Sequence, residues 1–454
     1  LPYSEGAPHL VSFAMGFLLS QADISLHCPV TLTGAVSYVL GYHADPKLRA
    51  QYLHDVTRMD GHTKTGGTWA TEKHGGSDVG ATTTIAKRTG DNFTLHGLKW
   101  FTSNANSGLA VATARPEGAP PGSAGLGLYL VPSHLAAGKP NHYVIRRLKD
   151  KLGTKGLPTG EIDLVGTEAV EIAGPPQGFK LMMEALEYSR IHNAVGAAGV
   201  QRRALTEALD WCRTREAFGK PIIEYPMVQD ELLRMLVQFH AGALLAFEAA
   251  LTFDKAITDP SQRVWLRFVT ALAKYLTAEY AIRSCRAALE LIGGNGYISD
   301  YPIARIYRDA QVLTVWEGPA NIQALELMRL LAPKYGAAVE YEKRMRATHA
   351  PEELSPMLES RMNEDLAAIA VAAKTFDNSA RYARKLLHRL SESLGFALMC
   401  HNAAQTGDDN LKLSALRYLE ELEPPKIGEE DRRGRNEVFG RRYERTSAPQ
   451  STRV

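Results

Sequence analysis

Glu317 stands in the run Thr314-Val315-Trp316-Glu317-Gly318-Pro319-Ala320-Asn321, one carboxylate among apolar and aromatic neighbours just ahead of a helix-like segment. A carboxylate withdrawn from water has a raised pKa and a stripped hydration shell, which makes it a better acceptor for a carbon-bound proton near neutral pH. Glu317 is therefore a candidate general base. The same position also suits a charge that stabilises a helix N-terminus, and a lone Glu beside a Trp does not separate the two.

Other routes to catalysis are thin. Gly293-Gly294-Asn295-Gly296 lacks the spacing of a dinucleotide fingerprint and lies in a helical context. Gly75-Gly76-Ser77-Asp78-Val79 lacks the closing Gly of a nucleophile elbow. No His-Glu-x-x-His pair is present, and no metal is expected. Redox chemistry would need a bound organic cofactor.

Four further segments accompany the Glu317 run: Thr71-Glu72-Lys73-His74-Gly75-Gly76-Ser77-Asp78-Val79, Lys99-Trp100-Phe101-Thr102-Ser103-Asn104, Arg213-Thr214-Arg215-Glu216-Ala217-Phe218-Gly219-Lys220 and Glu290-Leu291-Ile292-Gly293-Gly294-Asn295-Gly296-Tyr297. In this order they resemble the acyl-CoA dehydrogenase superfamily, from about Leu10 to about Leu330. The Thr-Glu-Lys-x-Gly-Gly-Ser-Asp-Val form, the run Leu148-Lys149-Asp150-Lys151-Leu152-Gly153 and the Trp-Glu-Gly motif look most like the AidB branch, named for an alkylation-response flavoprotein.

The resemblance implies non-covalent FAD between a β domain and a helical bundle, with a neighbouring subunit closing the site. Thr71, Gly76 and Ser77 match the loop that approaches the flavin and its pyrophosphate, and Ser77 also counts toward the substrate site. Small residues there let backbone N–H groups come close to an anion. Phe101 and Ser103 match the aromatic and hydroxyl positions beside the flavin ring, with Thr102 between them. Phe101 and Ser103 also read as an ordinary strand with alternating faces. Arg215 and Phe218 match the family's Arg-x-x-Phe-Gly, whose guanidinium reaches the cofactor phosphates of the adjoining protomer. Gly293 and Gly294 match the adenosine half of the site, or else permit close helix packing.

Trp316, Gly318 and Asn321 join the cofactor set around the Trp-Glu-Gly motif. Glu290 departs from the family's usual Gln and is expected to meet a hydroxyl or a backbone amide. Pro319 replaces a small hydroxyl residue and removes a donor and an N–H. Glu317 aligns with the base that takes the proton alpha to the thioester while the beta hydride passes to the flavin. Arg190 matches an Arg that supports the acyl-CoA site, and a structural ion pair is the alternative.

Three function classes follow from the resemblance. The favoured one is an acyl-CoA dehydrogenase passing electrons to an electron-transfer flavoprotein. The others are a DNA-associated protection protein of the AidB type and a flavin oxidase. A homotetramer, a dimer of dimers, is expected.

The elements that must position these residues show in the texture of the chain. Residues 1–67 have helical spacing, with Val36, Leu40, Leu48 and Leu53 apolar around the Pro46 break. Residues 68–175 turn to short β-rich runs such as Phe93-Thr94-Leu95, Gly127-Leu128-Tyr129-Leu130-Val131 and Glu161-Ile162-Asp163-Leu164-Val165. Residues 176–335 return to long Ala- and Leu-rich segments that suit a bundle. Residues 336–454 continue as a helical extension with a tail expected to lose order beyond Pro424-Pro425. The fold class is α+β: a partial N-terminal helical domain, a central β-barrel or sandwich, and a C-terminal helical bundle with an extra helical extension.

The 454 residues, 45% hydrophobic and 22% charged, describe a globular protein with large cores. A formal net charge of +2 gives no general pull on polyanions. Residues 336–454 hold 19 Lys plus Arg against 19 Asp plus Glu. Arg432, Arg433, Arg435, Arg441, Arg442 and Arg445 are interleaved with acids, so nucleic acid is a possible partner but not a favoured one. Cys28, Cys212, Cys285 and Cys400 are widely spaced and read as packed thiols in a reducing, cytoplasmic setting. The apolar run Ala241–Leu251 is broken by Glu248, and no membrane span is expected. The chain opens Leu1-Pro2-Tyr3-Ser4 without a charged leader, and the resemblance implies a longer helical domain ahead of it.

Overall fold

The computed structural model describes residues 2–3, 5–374 and 380–422. The Arg-rich tail expected to lose order lies outside the described residues.

Three helices come first: α1 (His9–Ala22), α2 (Ile24–Tyr42) and α3 (Pro46–Thr57). Short polar caps set the breaks between them. Asp23 has extended backbone and accepts from Ser25 N at 2.7 Å, which starts α2. Asp45 accepts from Lys47 N and Leu48 N at 2.8 and 3.0 Å, with Pro46 in the first turn of α3, where a missing N–H does no harm.

Seven strands follow: β1 (Gly66–Trp69), β2 (Ile85–Thr89), β3 (Asn92–Ser103), β4 (Leu109–Pro116), β5 (Gly127–Pro132), β6 (Tyr143–Leu148) and β7 (Thr159–Ala173). Their pairings close a circuit β4-β2-β3-β7-β5 that returns to β4, with β1 added on β4 and β6 on β7. A closed circuit leaves few unpaired edges and makes this region a barrel. β2 and β3 meet through a two-residue turn in which Thr89 faces Asn92 and Gly90 takes φ +64. The core of the circuit mixes bulky Trp69, Phe93, Tyr129 and Ile162 with small Ala110, Ala112 and Ala114.

Helices dominate the remainder: α4 (Gln177–Thr214), α5 (Pro226–Thr258), α6 (Arg263–Ile292), α7 (Gly294–Tyr297), α8 (Pro302–Ala310), α9 (Ala320–Leu330), α10 (Ala337–Arg346) and α11 (Ser355–Lys374), then the segments Ala383–Thr406 and Asp409–Leu422. Between α4 and α5 a small hairpin pairs β8 (Glu216–Ala217) with β9 (Lys220–Pro221).

Two compact units emerge. The first comprises Leu1–Gly199, Phe253–Thr258 and Arg308–Ile322; the second comprises Val200–Thr252, Asp259–Tyr307 and Gln323–Val454. In the first, buried aromatic and polar rings fill the space between α1, α2 and α4: His27 Nε2 lies 3.1 Å from His192 Nδ1, and Phe13, Tyr188 and Phe253 pack around them. Gly16 and Gly196 make room, because a Cβ at either would come within 2.7 or 2.8 Å of His27. In the second, buried polar pairs tie the late helices to α6 and to one another. Tyr280 and Tyr418 share a hydrogen bond at 2.8 Å, and Asp365 accepts from Tyr341 at 2.8 Å and from Arg389 at 2.6 Å.

Two helices, α2 and α5, are long and apolar enough by composition to cross a membrane, although the charge interruption in α5 argued otherwise. Their apolar windows are 67% and 56% buried, the behaviour of core helices. All four cysteines are free and buried.

Candidate functional site

Glu317 sits in a turn between the short 3-10 segment Gln311–Thr314 and α9. Its φ is +55 and that of Gly318 is +96, a left-handed pair that a residue with a side chain adopts only where its surroundings enforce it. One face of α4 supplies that enforcement. Arg190 Nε donates to the Glu317 carbonyl at 2.9 Å. Asn193 Nδ2 donates to the Leu313 carbonyl at 3.2 Å, and Asn193 Oδ1 accepts from Trp316 Nε1 at 2.5 Å. Backbone bonds from Val315 and Trp316 to Val312 O, at 2.9 and 3.0 Å, close the turn. Trp316 packs on Cys28, Leu32 and Leu157.

Cys28 links the turn to side chains from two other stretches. The Cys28 thiol on α2 is pushed up to about 12, first by burial and then by the Glu317 carboxylate, with Lys151 and the Ser103 hydroxyl acting against both. Ser103 Oγ lies 3.3 Å from Thr159 Oγ1. Lys151 Nζ donates to Leu157 O at 2.7 Å and Thr159 Oγ1 at 3.0 Å, and burial lowers its pKa against the pull of Cys28 and Asp309. The loop behind Lys151 is docked on the end of α8. Thr154 N donates to Asp309 Oδ1 at 2.5 Å, and Gly153 lies so close that a Cβ would reach 2.5 Å from the Arg308 carbonyl group. Ser103, Cys28, Glu317 and Arg190 therefore form one neighbourhood.

A second cluster extends from it along β3. Trp100 N donates to the Thr71 carbonyl at 3.0 Å, which places Thr71 beside the strand that carries Phe101. Gly76 and Ser77 are exposed on the loop that follows. Phe101 is 55% exposed, so the aromatic ring of this strand faces outward rather than into the core. Thr102 faces inward: it is fully buried and its hydroxyl donates to Gly160 O at 2.7 Å. That correction removes the Thr102 side chain from any cofactor contact. Lys149 lies 3.2 Å from the Trp100 ring centroid and 5.0 Å from that of Phe101.

The loop is held from beneath by Glu72, whose neighbours Thr71, Gly76 and Ser77 attract attention from sequence while it does not. Glu72 is 4% exposed and accepts from Thr83 N and Oγ1 at 2.7 Å each, Thr84 N at 3.1 Å, Thr84 Oγ1 at 2.5 Å and Lys99 Nζ at 2.8 Å. Burial alone would raise its pKa, but Lys99 and the two threonines outweigh it and hold the carboxyl at about 2. Lys99 is drawn down by burial against the pull of Glu72, and the two side chains meet at 2.8 Å as a buried pair.

Arg215, Phe218, Glu290, Gly293 and Gly294 fall in the second unit. Arg215 and Phe218 lie at the hairpin, both exposed, with Phe218 97% exposed at φ +51 and Gly219 at φ +86. Gly293 caps α6 at φ +73, and neither it nor Gly294 has any atom within 4 Å of where a Cβ would stand. Close helix packing is therefore not the reason for these two glycines. Glu290 meets the Arg286 guanidinium one turn back, not the hydroxyl or backbone amide expected of it. Arg190, likewise, makes no ion pair with Glu317; its contact is to the backbone carbonyl. Asn321 is exposed in the first turn of α9.

Sequence reading passed over Asn193, Glu72, Lys99 and Lys151, and took Cys28 for an anonymous packed thiol. Cys28 and Glu317 are nearly three hundred residues apart, and no local signal joins them. Lys99 carried one signal, a charge between the apolar Leu98 and Trp100 of a strand-like run. Among the described residues no group of three or more His, Cys, Asp or Glu could hold a metal ion.

Known proteins resemble this chain over most of its length. Residues 67–166 match the acyl-CoA dehydrogenase middle domain and residues 176–332 the acyl-CoA dehydrogenase C-terminal domain, together more than half of the chain. Acyl-CoA dehydrogenase family member 11 of Caenorhabditis elegans is 34% identical over 72% of this chain and 55% of its own length. The putative acyl-CoA dehydrogenase AidB of Escherichia coli is 31% identical over 72% of this chain and 61% of its own. The chain thus spans less than two thirds of either relative. The crystal structure of Caenorhabditis elegans ACDH-11 in complex with C11-CoA superposes with a TM-score of 0.85 at 28% identity, over 92% of this chain and 76% of that one. Matched by both domain families and sharing their fold, the chain belongs to the acyl-CoA dehydrogenase family, whose members bind FAD.

Proposed function

We propose that this chain is an FAD-dependent acyl-CoA dehydrogenase that removes the proton alpha to a thioester with Glu317. The observation that carries this reading is the Glu317 turn itself: a left-handed carboxylate-bearing residue pinned by Arg190 at 2.9 Å, with Cys28 and Ser103 in its surroundings. A base that must meet one C–H bond needs a fixed position more than a flexible one.

The residues present fit FAD. The exposed Gly76 and Ser77 offer backbone N–H groups and a hydroxyl, Phe101 offers an outward-facing ring, and on the second unit Arg215 is an exposed guanidinium while Gly293 and Gly294 leave open space. In the first unit Gly76, Ser77 and Phe101 would hold the cofactor, which supplies a hydride acceptor when bound. Thr71 and Ser103 join them as backbone and hydroxyl neighbours of the Phe101 strand. Glu317 takes the alpha proton. Trp316 packs on an apolar cluster of Cys28, Leu32 and Leu157 directly beside Glu317 in sequence. Arg190 supports the substrate site indirectly, by fixing the backbone of its base.

An acyl-CoA is the proposed substrate, supported by the C11-CoA complex of the nematode protein. An electron-transfer flavoprotein is the proposed electron acceptor, and a homotetramer the proposed assembly. The test is an anaerobic titration of the FAD-loaded protein with saturated acyl-CoA thioesters of graded length. Bleaching of the flavin absorbance is the expected result. A folded, FAD-loaded protein that no thioester bleaches would overturn the assignment, and rapid oxygen consumption without another acceptor would replace it with a flavin oxidase.

A further inference from the structure

We propose that Asn193 is a positioning residue that holds the Glu317 turn through the Trp316 indole. The inference rests on reading Glu317 as the base and goes on to ask what fixes it. Asn193 is 3% exposed, and both ends of its amide are engaged: the oxygen accepts from Trp316 Nε1 at 2.5 Å and the nitrogen donates to Leu313 O at 3.2 Å. An indole N–H can only donate and a carbonyl can only accept, so one amide orientation alone satisfies both partners. The amide thus bridges the last 3-10 turn and the residue directly before Glu317.

Arg190 and Asn193 lie three residues apart, on one face of α4. Arg190 fixes the turn at the Glu317 carbonyl, and Asn193 fixes it at Leu313 and Trp316. Two anchors on either side of a strained peptide leave it little freedom to relax. With Asn193 removed, Trp316 Nε1 would lose its acceptor in a half-buried setting. The ring could then turn against Cys28 and Leu157, and Glu317 could leave its left-handed backbone. A shift of that kind displaces the carboxylate without unfolding anything.

The experiment compares FAD-loaded parent, Asn193→Leu, Trp316→Phe and the double variant. Leu keeps the γ-branched shape of Asn and removes both hydrogen bonds. Asn193→Leu is expected to keep FAD and to bind an acyl-CoA with nearly parental affinity, while its rate of flavin reduction at saturating thioester falls on the order of 10²-fold. The pH dependence of that rate should also move, because a displaced carboxylate has a new environment; a purely structural role would leave the profile in place. In the Trp316→Phe background the Asn193→Leu substitution should have a smaller effect, since the indole N–H is already absent. Should Asn193→Leu fail to fold, Trp316→Phe removes the same bond from the other side and should show the slowed rate and altered profile by itself. Parental rates and profiles in the foldable variants, or strictly additive effects in the cycle, would overturn the proposal. A parent that no acyl-CoA reduces would instead overturn the function proposed above.

Discussion

Two turns in this molecule use the same backbone device and are finished differently. Glu317-Gly318 and Phe218-Gly219 each place a residue with a side chain at positive φ, +55 and +51, directly before a glycine at +96 and +86. The Glu317 turn is half-buried and clamped by Arg190 and Asn193 from α4. The Phe218 turn is held by Tyr225, whose Oη donates to Ala217 O at 2.7 Å and lies 3.5 Å from Phe218 O, and it leaves Phe218 97% exposed. The first turn is over-determined, as the proposed base requires. The second leaves its side chain open to solvent.

The comparison breaks most readily at Glu317. Glu317→Gln is nearly isosteric and keeps the backbone contact to Arg190, yet cannot take a proton from carbon. Flavin reduction by an acyl-CoA should fall by about 10²- to 10⁴-fold in rapid mixing, with FAD content and thioester affinity preserved. A mutant reduced at the parental rate would move the base elsewhere and leave the two turns without a functional contrast.

Next in size is the support beneath the loop that carries Gly76 and Ser77. Glu72→Gln leaves Lys99 fully buried without its counter-ion, and removing one member of a buried pair costs about 3–5 kcal/mol. Urea unfolding should show that loss even in FAD-free protein. A change within about 0.5 kcal/mol would mean that Thr83, Thr84 and the Thr113 carbonyl, which accepts from Lys99 at 2.8 Å, hold the loop without the carboxylate.

These two sites also mark where the sequence was readable. Phe93-Thr94-Leu95 and Gly127–Val131 read as strands because alternation and apolar runs are local properties, and both are strands in the barrel. The Pro46 break was visible for the same reason. The Glu317 motif could be found because its chemistry sits in consecutive residues. Asn193, 123 residues away from Trp316, could not, since an Asn inside an Ala-rich helix carries no mark of the indole it meets. Thr102 shows the converse: a polar residue between two site residues looks like a third, until the pleat turns it inward.

A smaller effect is expected from acid. His27 is fully enclosed and lowered to about 4 by burial, and His192, 3.1 Å from it, is lowered too by burial and by His27 and His9. His9 is lowered to about 4, chiefly by burial, with Asp254 opposing. Unfolded, each would titrate near the ordinary histidine value of about 6.5. Between about 6.5 and 4 the unfolded chain therefore binds protons that the folded chain does not, so stability is complete above that window and falls as the pH drops through it. Urea midpoints measured from pH 7 to 4.5 should decline, and His27→Asn should flatten part of that decline. Equal slopes in parent and variant would assign the acid sensitivity to carboxylates instead.

The smallest effect is expected at the exposed turn, and it sharpens the contrast most. Phe218→Gly removes a side chain from a left-handed position, which relieves about 1–2 kcal/mol of backbone strain. It also gives the unfolded chain the freedom of a glycine, a loss of about 0.5–1 kcal/mol. With 97% of the residue exposed there is almost no buried area to lose, so the net change in melting should be within about 1 kcal/mol of zero in FAD-free protein. FAD affinity should weaken all the same if the ring helps to hold the cofactor. A destabilisation above about 2 kcal/mol that grows with protein concentration would show Phe218 packed against another copy of the chain, and the open turn would then be as closely held as the one that carries Glu317.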